Sequence, residues 1–231
     1  MRIDHPEKRL QQFWGEVDKK HIASFSGFLI GKNVLDMGCG LGTTTAQITK
    51  LGFNCFGIDY EPAAIEYCKK TFPHCRFQTA NAEQLPFTDG YFDTVVLRDA
   101  LHHFYGEADF HKIRKEISRV SKPNARIIFF DPNVNFMLRT MRKIAFHKDA
   151  ECDYSIARKV MLEMNFRIIH STFNTVYSLP LSGGYVGINF IPNIKFIQNF
   201  VLRTELFFER ILNGLGLGRQ LCWRYLLVGQ K

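Results

Sequence analysis

The sequence predicts an α/β fold: one mostly parallel, seven-stranded sheet with helices on both faces and an antiparallel hairpin closing one edge. Three observations predict it. Short apolar runs rich in Val, Ile, Phe and Leu alternate with helical segments of about ten residues. Strands apolar on both faces belong to a parallel sheet covered on both sides and linked by right-handed crossovers. A glycine-rich turn, Gly38-Cys39-Gly40-Leu41-Gly42, joins the first strand to its helix.

In chain order, residues 6–29 form an amphipathic helix with Leu10, Phe13, Val17 and Ile22 at near-helical spacing. Then follow strand Asn33–Met37, helix Thr43–Leu51, strand Asn54–Ile58 and helix Pro62–Thr71. Strands Cys75–Gln78 and Thr94–Leu97, helix Phe110–Val120 and strand Arg126–Phe130 complete the regular part. Beyond residue 131 the alternation weakens, with helices at Asn135–His147, Tyr154–Met164 and Gln198–Leu212. Strands Phe166–Tyr177 and Cys222–Val228 make the closing hairpin.

A chain of 231 residues with 46% hydrophobic and 23% charged residues is too apolar for intrinsic disorder and reads as one domain. Its expected parts are an N-terminal helical segment over 1–30, a binding core over 31–133, and a substrate-side region with closing strands over 134–231. The six cysteines contain no C-x-x-C pair or matching His spacing, so reduced thiols, no metal site and a cytoplasmic location are expected. The opening residues hold no apolar leader segment, and no run reaches the roughly 18 apolar residues of a spanning helix. Net charge is +8, and its distribution is uneven. Residues 1–130 carry 17 basic and 15 acidic groups, whereas 131–231 carry 13 and 7.

The glycine turn carries the chemistry. Glycines let backbone approach a ligand where any Cβ would clash, and the amides at the head of the next helix point into the same gap. A dinucleotide fingerprint requires a third glycine where Thr43 stands. Here the spacing is G-x-G-x-G, with Asp36 two residues before it. A carboxylate there repels a pyrophosphate and attracts an ammonium. Asp59 ends the second strand, where an acid accepts from both hydroxyls of a ribose. The pair fits a nucleoside with a cationic end and no phosphate. Helix capping by Asp36 is the simpler alternative, and its place at a strand–turn junction argues against that.

These residues resemble the class I S-adenosylmethionine-dependent methyltransferases. Asp36-x-Gly38-x-Gly40-x-Gly42 is similar to the family's first motif and Gly57-Ile58-Asp59 to its second. Asn81-Ala82-Glu83-Gln84-Leu85-Pro86-Phe87 resembles the adenine-side motif, with Asn81 where the family commonly has an acid. Gly90-Tyr91-Phe92-Asp93 leads into the fourth strand and Leu101-His102-His103-Phe104 follows it. Ser121-Lys122-Pro123-Asn124-Ala125 precedes the fifth, with Asn124-Ala125 replacing a glycine pair. The resemblance covers residues 30–133 and implies a Rossmann-like fold and S-adenosylmethionine as cofactor. It implies that Asp36 holds the methionine ammonium and that Gly38, Cys39, Gly40 and Gly42 pack against the homocysteine portion. It further implies that Asp59 accepts from the ribose, Tyr60 flanks the adenine, Asn81 and Ala82 read its edge, and Arg98 lines the methionine side. Glu83 reads equally as a ligand contact or a solvated loop acid.

His102, His103 and Asp131 fall at the carboxyl edge of the fourth and fifth strands, where open α/β sheets bind ligands. A His oriented by a carboxylate is a candidate base for an O–H acceptor. Capping or packing roles for both His are the alternative. Asn135–Lys148 places Met137, Met141, Ile144 and Ala145 on one face with Arg139, Arg142 and Lys143 elsewhere, the pattern of an interfacial helix at an anionic membrane. The run Ser171–Leu202 holds only Lys195 as a charge and reads as a substrate lid or, preferably, as an ordinary strand with a hydrophobic loop packed on the core.

The expected reaction is direct methyl transfer to a small-molecule, sugar or lipid-like acceptor, with His/Asp assistance for an O–H group. Nucleic acid is not expected. Arg98-Asp99-Ala100 follows the fourth strand in place of an N-P-P-Y motif, and there is no Pro-Cys nucleophile. An RNA methyltransferase, a cofactor-binding partner protein and a nicotinamide-dependent reductase are the alternatives. The reductase conflicts with the glycine spacing and the lack of a Y-x-x-x-K pair.

Overall fold

The computed structural model describes residues 13–107, 109–136, 138–139, 152–181 and 190–231. The strands are β1 (Asn33–Met37), β2 (Asn54–Asp59), β3 (Arg76–Thr79), β4 (Phe92–Arg98), β5 (Ser121–Pro132), β6 (Arg167–Asn174) and β7 (Arg224–Gln230). The helices named below are α1 (Phe13–Ser26), α2 (Thr43–Lys50), α3 (Pro62–Thr71), α4 (Leu101–Glu107), α5 (Phe110–Val120), α6 (Tyr154–Glu163), α7 (Ser178–Leu181), α8 (Lys195–Gly214) and α9 (Gly218–Leu221). The strands form one sheet in the order β3-β2-β1-β4-β5-β7-β6. β1 runs parallel to β2 with Leu35 opposite Phe56, and parallel to β4 with Leu35 opposite Val95. The chain winds outward from β1 to β3 and then returns to lay β4 on β1's other side. That reversal opens a crevice at the carboxyl ends of β1 and β4. β6 and β7 form the antiparallel pair at the far edge, as the sequence predicts.

Several boundaries differ from the sequence-based expectation. β5 starts at Ser121, not Arg126, because Ser121 already pairs with Phe92 before the register shifts to Thr94 opposite Arg126. Asn124 sits within this irregularity at φ 65°, a left-handed setting that Asn tolerates. β6 ends at Asn174, not Tyr177. Thr175 takes φ 66°, and the next three amides, of Val176, Tyr177 and Ser178, donate to Glu205 Oε1 at 2.9, 2.8 and 2.6 Å instead of to a strand. Leu10, Gly183, Gly184 and most of the Asn135–Lys148 segment lie outside the described residues.

The residues divide into two compact units. One takes Phe25–Pro132, Leu226–Lys231 and the described residues of 152–171. Its core is the sheet, with Val34, Leu35, Val95, Val96, Ile127, Ile128 and Phe129 fully buried, and Ile48, Ile65, Ile113 and Ile117 from α2, α3 and α5 also buried. Gly57 in β2 answers a close approach: a Cβ there would lie 2.4 Å from Thr45 Oγ1 and 2.8 Å from the Phe77 ring. Gly57→Ala therefore lowers the unfolding free energy by about 1–3 kcal/mol through overpacking. An unchanged midpoint in urea denaturation followed by circular dichroism contradicts this.

The other unit holds the described residues of 13–24, 133–139 and 172–225. Part of it is apolar: Val134, Leu138 and Trp223 cluster against Trp14. Another part is polar and buried. Lys20 Nζ donates to Glu209 Oε1 at 2.6 Å and also bonds Glu205, and all three side chains are nearly inaccessible. This arrangement turns α8 inside out. Its buried residues are Gln198, Glu205 and Glu209, while Phe196, Phe200 and Phe207 are exposed. The preferred expectation for Ser171–Leu202, apolar side chains packed on the core, thus fails for Phe190, Ile194, Phe196 and Phe200, all exposed. Anchored carboxylates occupy the inner face that the phenylalanines would otherwise fill.

Candidate functional site

The site is built from the first unit alone. After Met37 the chain turns through Gly38 (φ 77°), Gly40 (φ 50°) and Gly42 (φ 76°). The amides of Gly38 and Cys39 both donate to Ile58 O at 2.9 Å, which ties the turn to the tip of β2. A Cβ on Gly38 would meet Ala100 at 2.9 Å, and Phe104 of α4 lies just beyond. A Cβ on Gly40 would meet nothing within 4 Å. Gly38 therefore serves packing, whereas the space at Gly40 is open.

Asp36 is buried beneath this turn, and its Oδ2 accepts from Thr45 Oγ1 at 2.6 Å. Burial pushes its carboxyl up to about 6, against the opposing effects of the Thr45 bond and the Arg98 guanidinium. Arg98, at the end of β4, is itself buried and donates from Nη1 to Thr44 Oγ1 at 3.2 Å. Asp59, half-buried at the tip of β2, accepts from Gly40 N at 2.9 Å through Oδ2 and from Glu61 N at 3.1 Å through Oδ1. Asp36, Gly38, Gly40, Gly42, Asp59 and Arg98 thus surround one strand end.

The remaining candidates take different settings. Cys39 is buried against Cys68, and that neighbour together with burial pushes its thiol far above the ordinary range. Tyr60 is 76% exposed. Asn81 is exposed and its Oδ1 accepts from Glu83 N at 2.9 Å, an Asx turn that bends the chain beyond β3. Ala82 is half-buried. Glu83 is neither free nor loose: Oε1 accepts from Asp109 N at 3.2 Å, and Lys112 lies 3.7 Å away.

His102 and Asp131 meet. His102 Nδ1 lies 2.9 Å from Asp131 Oδ1, and both side chains are buried. A carboxylate partner places the proton on Nδ1 and leaves Nε2 as the basic nitrogen. Asp131 Oδ2 is buried with no hydrogen-bond partner among the described residues. An unsatisfied buried carboxylate oxygen is costly and is a mark of functional sites. His103 is exposed and its ring centroid lies 4.1 Å from that of His102.

Sequence reasoning missed Thr44 and Thr45, whose hydroxyls engage Arg98 and Asp36. The Thr43-Thr44-Thr45 run at the head of α2 was the available signal. It also missed Asp99, a non-glycine residue at φ 54° where β4 ends. Such strain clusters at functional sites, and no one-dimensional pattern marks it. Among the described residues no group of His, Cys, Asp and Glu is arranged to hold a metal, and no helix is long and apolar enough to cross a membrane.

A reversed parallel sheet, a glycine turn after β1 and an acid at the tip of β2 are the features on which the sequence resembles the class I methyltransferases. Residues 35–129 match the family model described as a methyltransferase domain, in agreement with the family that the sequence resembles. It is 35% identical over 103 residues to the uncharacterized methyltransferase YcgJ of Bacillus subtilis, an alignment covering 42% of this chain and 40% of that protein. It is 35% identical over 104 residues to the chloroplastic tocopherol O-methyltransferase of Arabidopsis thaliana, covering 42% of this chain and 29% of that protein. The chain thus spans less than half the length of these curated relatives. The crystal structure of YcgJ superimposes with a TM-score of 0.60 at 20% identity, covering 92% of this chain and 98% of that one. Geranyl diphosphate C-methyltransferase from Streptomyces coelicolor A3(2), solved with S-adenosyl-L-homocysteine, gives 0.67 at 13% identity, covering 94% and 81%. These two structural likenesses concern the fold.

Proposed function

We propose that this chain transfers a methyl group from S-adenosylmethionine to a small, lipid-like acceptor, with an O–H group as the preferred nucleophile. The observation that supports the cofactor reading is the left-handed glycine turn after the strand that carries Asp36, with space open at Gly40 and the Gly40 amide donating to Asp59. Two acids at neighbouring strand ends suit a cationic nucleoside and disfavour a dinucleotide phosphate. Bound S-adenosylmethionine supplies a methyl on a sulfonium, which is reactive without further activation.

The residues then have separate tasks. Asp36 supplies negative charge for the ammonium end, steadied by Thr45 and Arg98. Asp59 accepts from the ribose hydroxyls, with Tyr60 and Asn81-Ala82 on the adenine side. The turn backbone at Gly38, Cys39, Gly40 and Gly42 lies along the amino-acid end. His102 takes the acceptor's proton at Nε2 while Asp131 holds the Nδ1–H, and the proton then leaves Nε2 for solvent, with exposed His103 beside it as relay. The main contribution of such a site is alignment of acceptor and methyl with water excluded. The acceptor class draws on the relatives: one is named for tocopherol and a structural neighbour was solved with geranyl diphosphate.

The test is tritiated S-adenosylmethionine offered with cell extract, sorted into lipid, sugar and nucleic-acid fractions. Label in the lipid fraction supports the reading. Cofactor binding with no label in any fraction makes the chain a partner protein, and label in RNA refutes the acceptor class.

Asp36 adds a pH-dependent prediction. Its carboxyl titrates at about 6 when buried and empty, above its ordinary 3.8. A raised acid pKa means that stability falls as pH rises through that window, because ionisation in the folded chain costs more than in the unfolded one. Asp36→Asn removes the cost. Its ligand-free melting temperature at neutral pH therefore equals or exceeds that of the unsubstituted chain, while affinity for S-adenosylmethionine falls roughly tenfold or more. In calorimetry the unsubstituted chain also loses affinity as pH drops below 6, and the variant is flat. Undiminished affinity in the variant removes Asp36 from the site.

A further inference from the structure

The outer face of α8 is the largest feature that the methyl-transfer reading leaves unused. Phe196, Phe200, Phe207 and Ile211 are 80%, 60%, 61% and 40% exposed, and their spacing places them on one helical stripe. Ile194, Leu215 and Leu217 extend it at 53%, 68% and 42%. Monomeric soluble proteins rarely leave so long an apolar face uncovered.

The exposed charges of residues 194–219 have one sign. Lys195, Arg203, Arg210 and Arg219 are all exposed, and the acids of the same stretch, Glu205 and Glu209, are buried. Those two acids bond Lys20 and the amides of residues 175–178, and Asn213 Nδ2 donates to Phe173 O at 2.7 Å. The polar side of α8 is thereby anchored and the aromatic, basic side is held outward.

We propose that α8 docks this chain on an anionic lipid bilayer, lying in the plane of the surface. A phenylalanine stripe flanked by arginines is what an interfacial helix presents: the rings enter the headgroup–acyl boundary and the guanidinium groups meet lipid phosphates. A helix of 20 residues is about 30 Å long, but none of the described helices is apolar enough to span. A second copy of the chain is the poorer occupant. A two-fold interface repeats the same face on both sides, which would bring arginines against arginines with no acid between them.

The experiment is flotation of the full chain with vesicles of phosphatidylcholine alone and of phosphatidylcholine mixed with phosphatidylglycerol. It is done at low and high salt, without cofactor or acceptor, so its outcome is independent of the methyl-transfer reading. The expected result is co-flotation with the anionic vesicles at low salt, reduced by roughly tenfold on neutral vesicles or at high salt. The double variants Phe200→Ser/Phe207→Ser and Arg203→Glu/Arg210→Glu alter only exposed positions, and each loses flotation with its melting temperature kept. No flotation of the unsubstituted chain, or equal flotation of both variants, overturns the proposal. So does sedimentation as a dimer that the phenylalanine variant dissociates, which would make the face a self-association surface.

Discussion

His102→Gln is expected to lower turnover by about 10²–10⁴-fold, the usual contribution of general-base assistance, with affinity for S-adenosylmethionine changed less than about twofold. Glutamine keeps a polar atom near Asp131 but accepts no proton. Asp131→Asn gives a loss of similar order by a different route. The Nδ1 of His102 then faces an amide in place of a carboxylate 2.9 Å away, and the tautomer with a basic Nε2 is no longer favoured. Because both side chains are buried, loss of turnover alone also fits a damaged fold. The discriminating measurement is the pH–rate profile: the acidic limb belongs to a base that must be deprotonated, and it vanishes in His102→Gln while melting temperature and cofactor affinity hold. A variant with full turnover, or one that keeps the acidic limb, ends the assignment. An acceptor with no proton to lose would give the first of these outcomes.

Lys20→Met is expected to destabilise its unit by about 3–5 kcal/mol, the cost of stranding buried charge. Lys20 bonds both Glu205 and Glu209. Burial alone would raise the Glu205 carboxyl, but Lys20 and the Ser178 bonds outweigh it and hold Glu205 below the usual range. Burial prevails at Glu209, which sits above the range even with Lys20 present. Without the ammonium both carboxyls rise. An acid with a raised folded-state pKa binds protons that the unfolded chain releases, so the variant regains stability as the medium is made mildly acidic. Thermal melts across that range check the sign. A variant as stable as the unsubstituted chain at neutral pH, or one whose stability falls on mild acidification, contradicts the network's role. Lys20→Met with Glu205→Gln and Glu209→Gln should recover much of the loss, since neutral amides tolerate burial when hydrogen-bonded.

The parts legible in the sequence were those governed by local chemistry. The turn at residues 38–42 had to be glycine-rich because three of its residues take positive φ, and the acids at 36 and 59 sit at strand ends that apolar runs mark unambiguously. The pairing of His102 with Asp131 was also foreseeable, because adjacent parallel strands bring residues 29 apart to one edge. What escaped depended on distant partners. The start of β5 follows from Ser121 finding Phe92, and the end of β6 from Glu205 collecting amides. The orientation of α8 depends on a lysine 185 residues away. A periodicity argument buries phenylalanines and exposes acids. It cannot register a cation from another helix that reverses the preference.

That reversal affects how well the helix is aimed. Apolar contacts are non-directional and specify a helix's rotation about its axis only through the fit of side-chain shapes. α8 is seated by a carboxylate that receives three successive amides and by an asparagine that both gives and takes a bond with Phe173. Directional bonds weaken steeply once misaligned, so they act as a key in a slot. The azimuth of α8 is therefore specified as sharply as its position, and whatever meets its outer side meets always the same row of side chains.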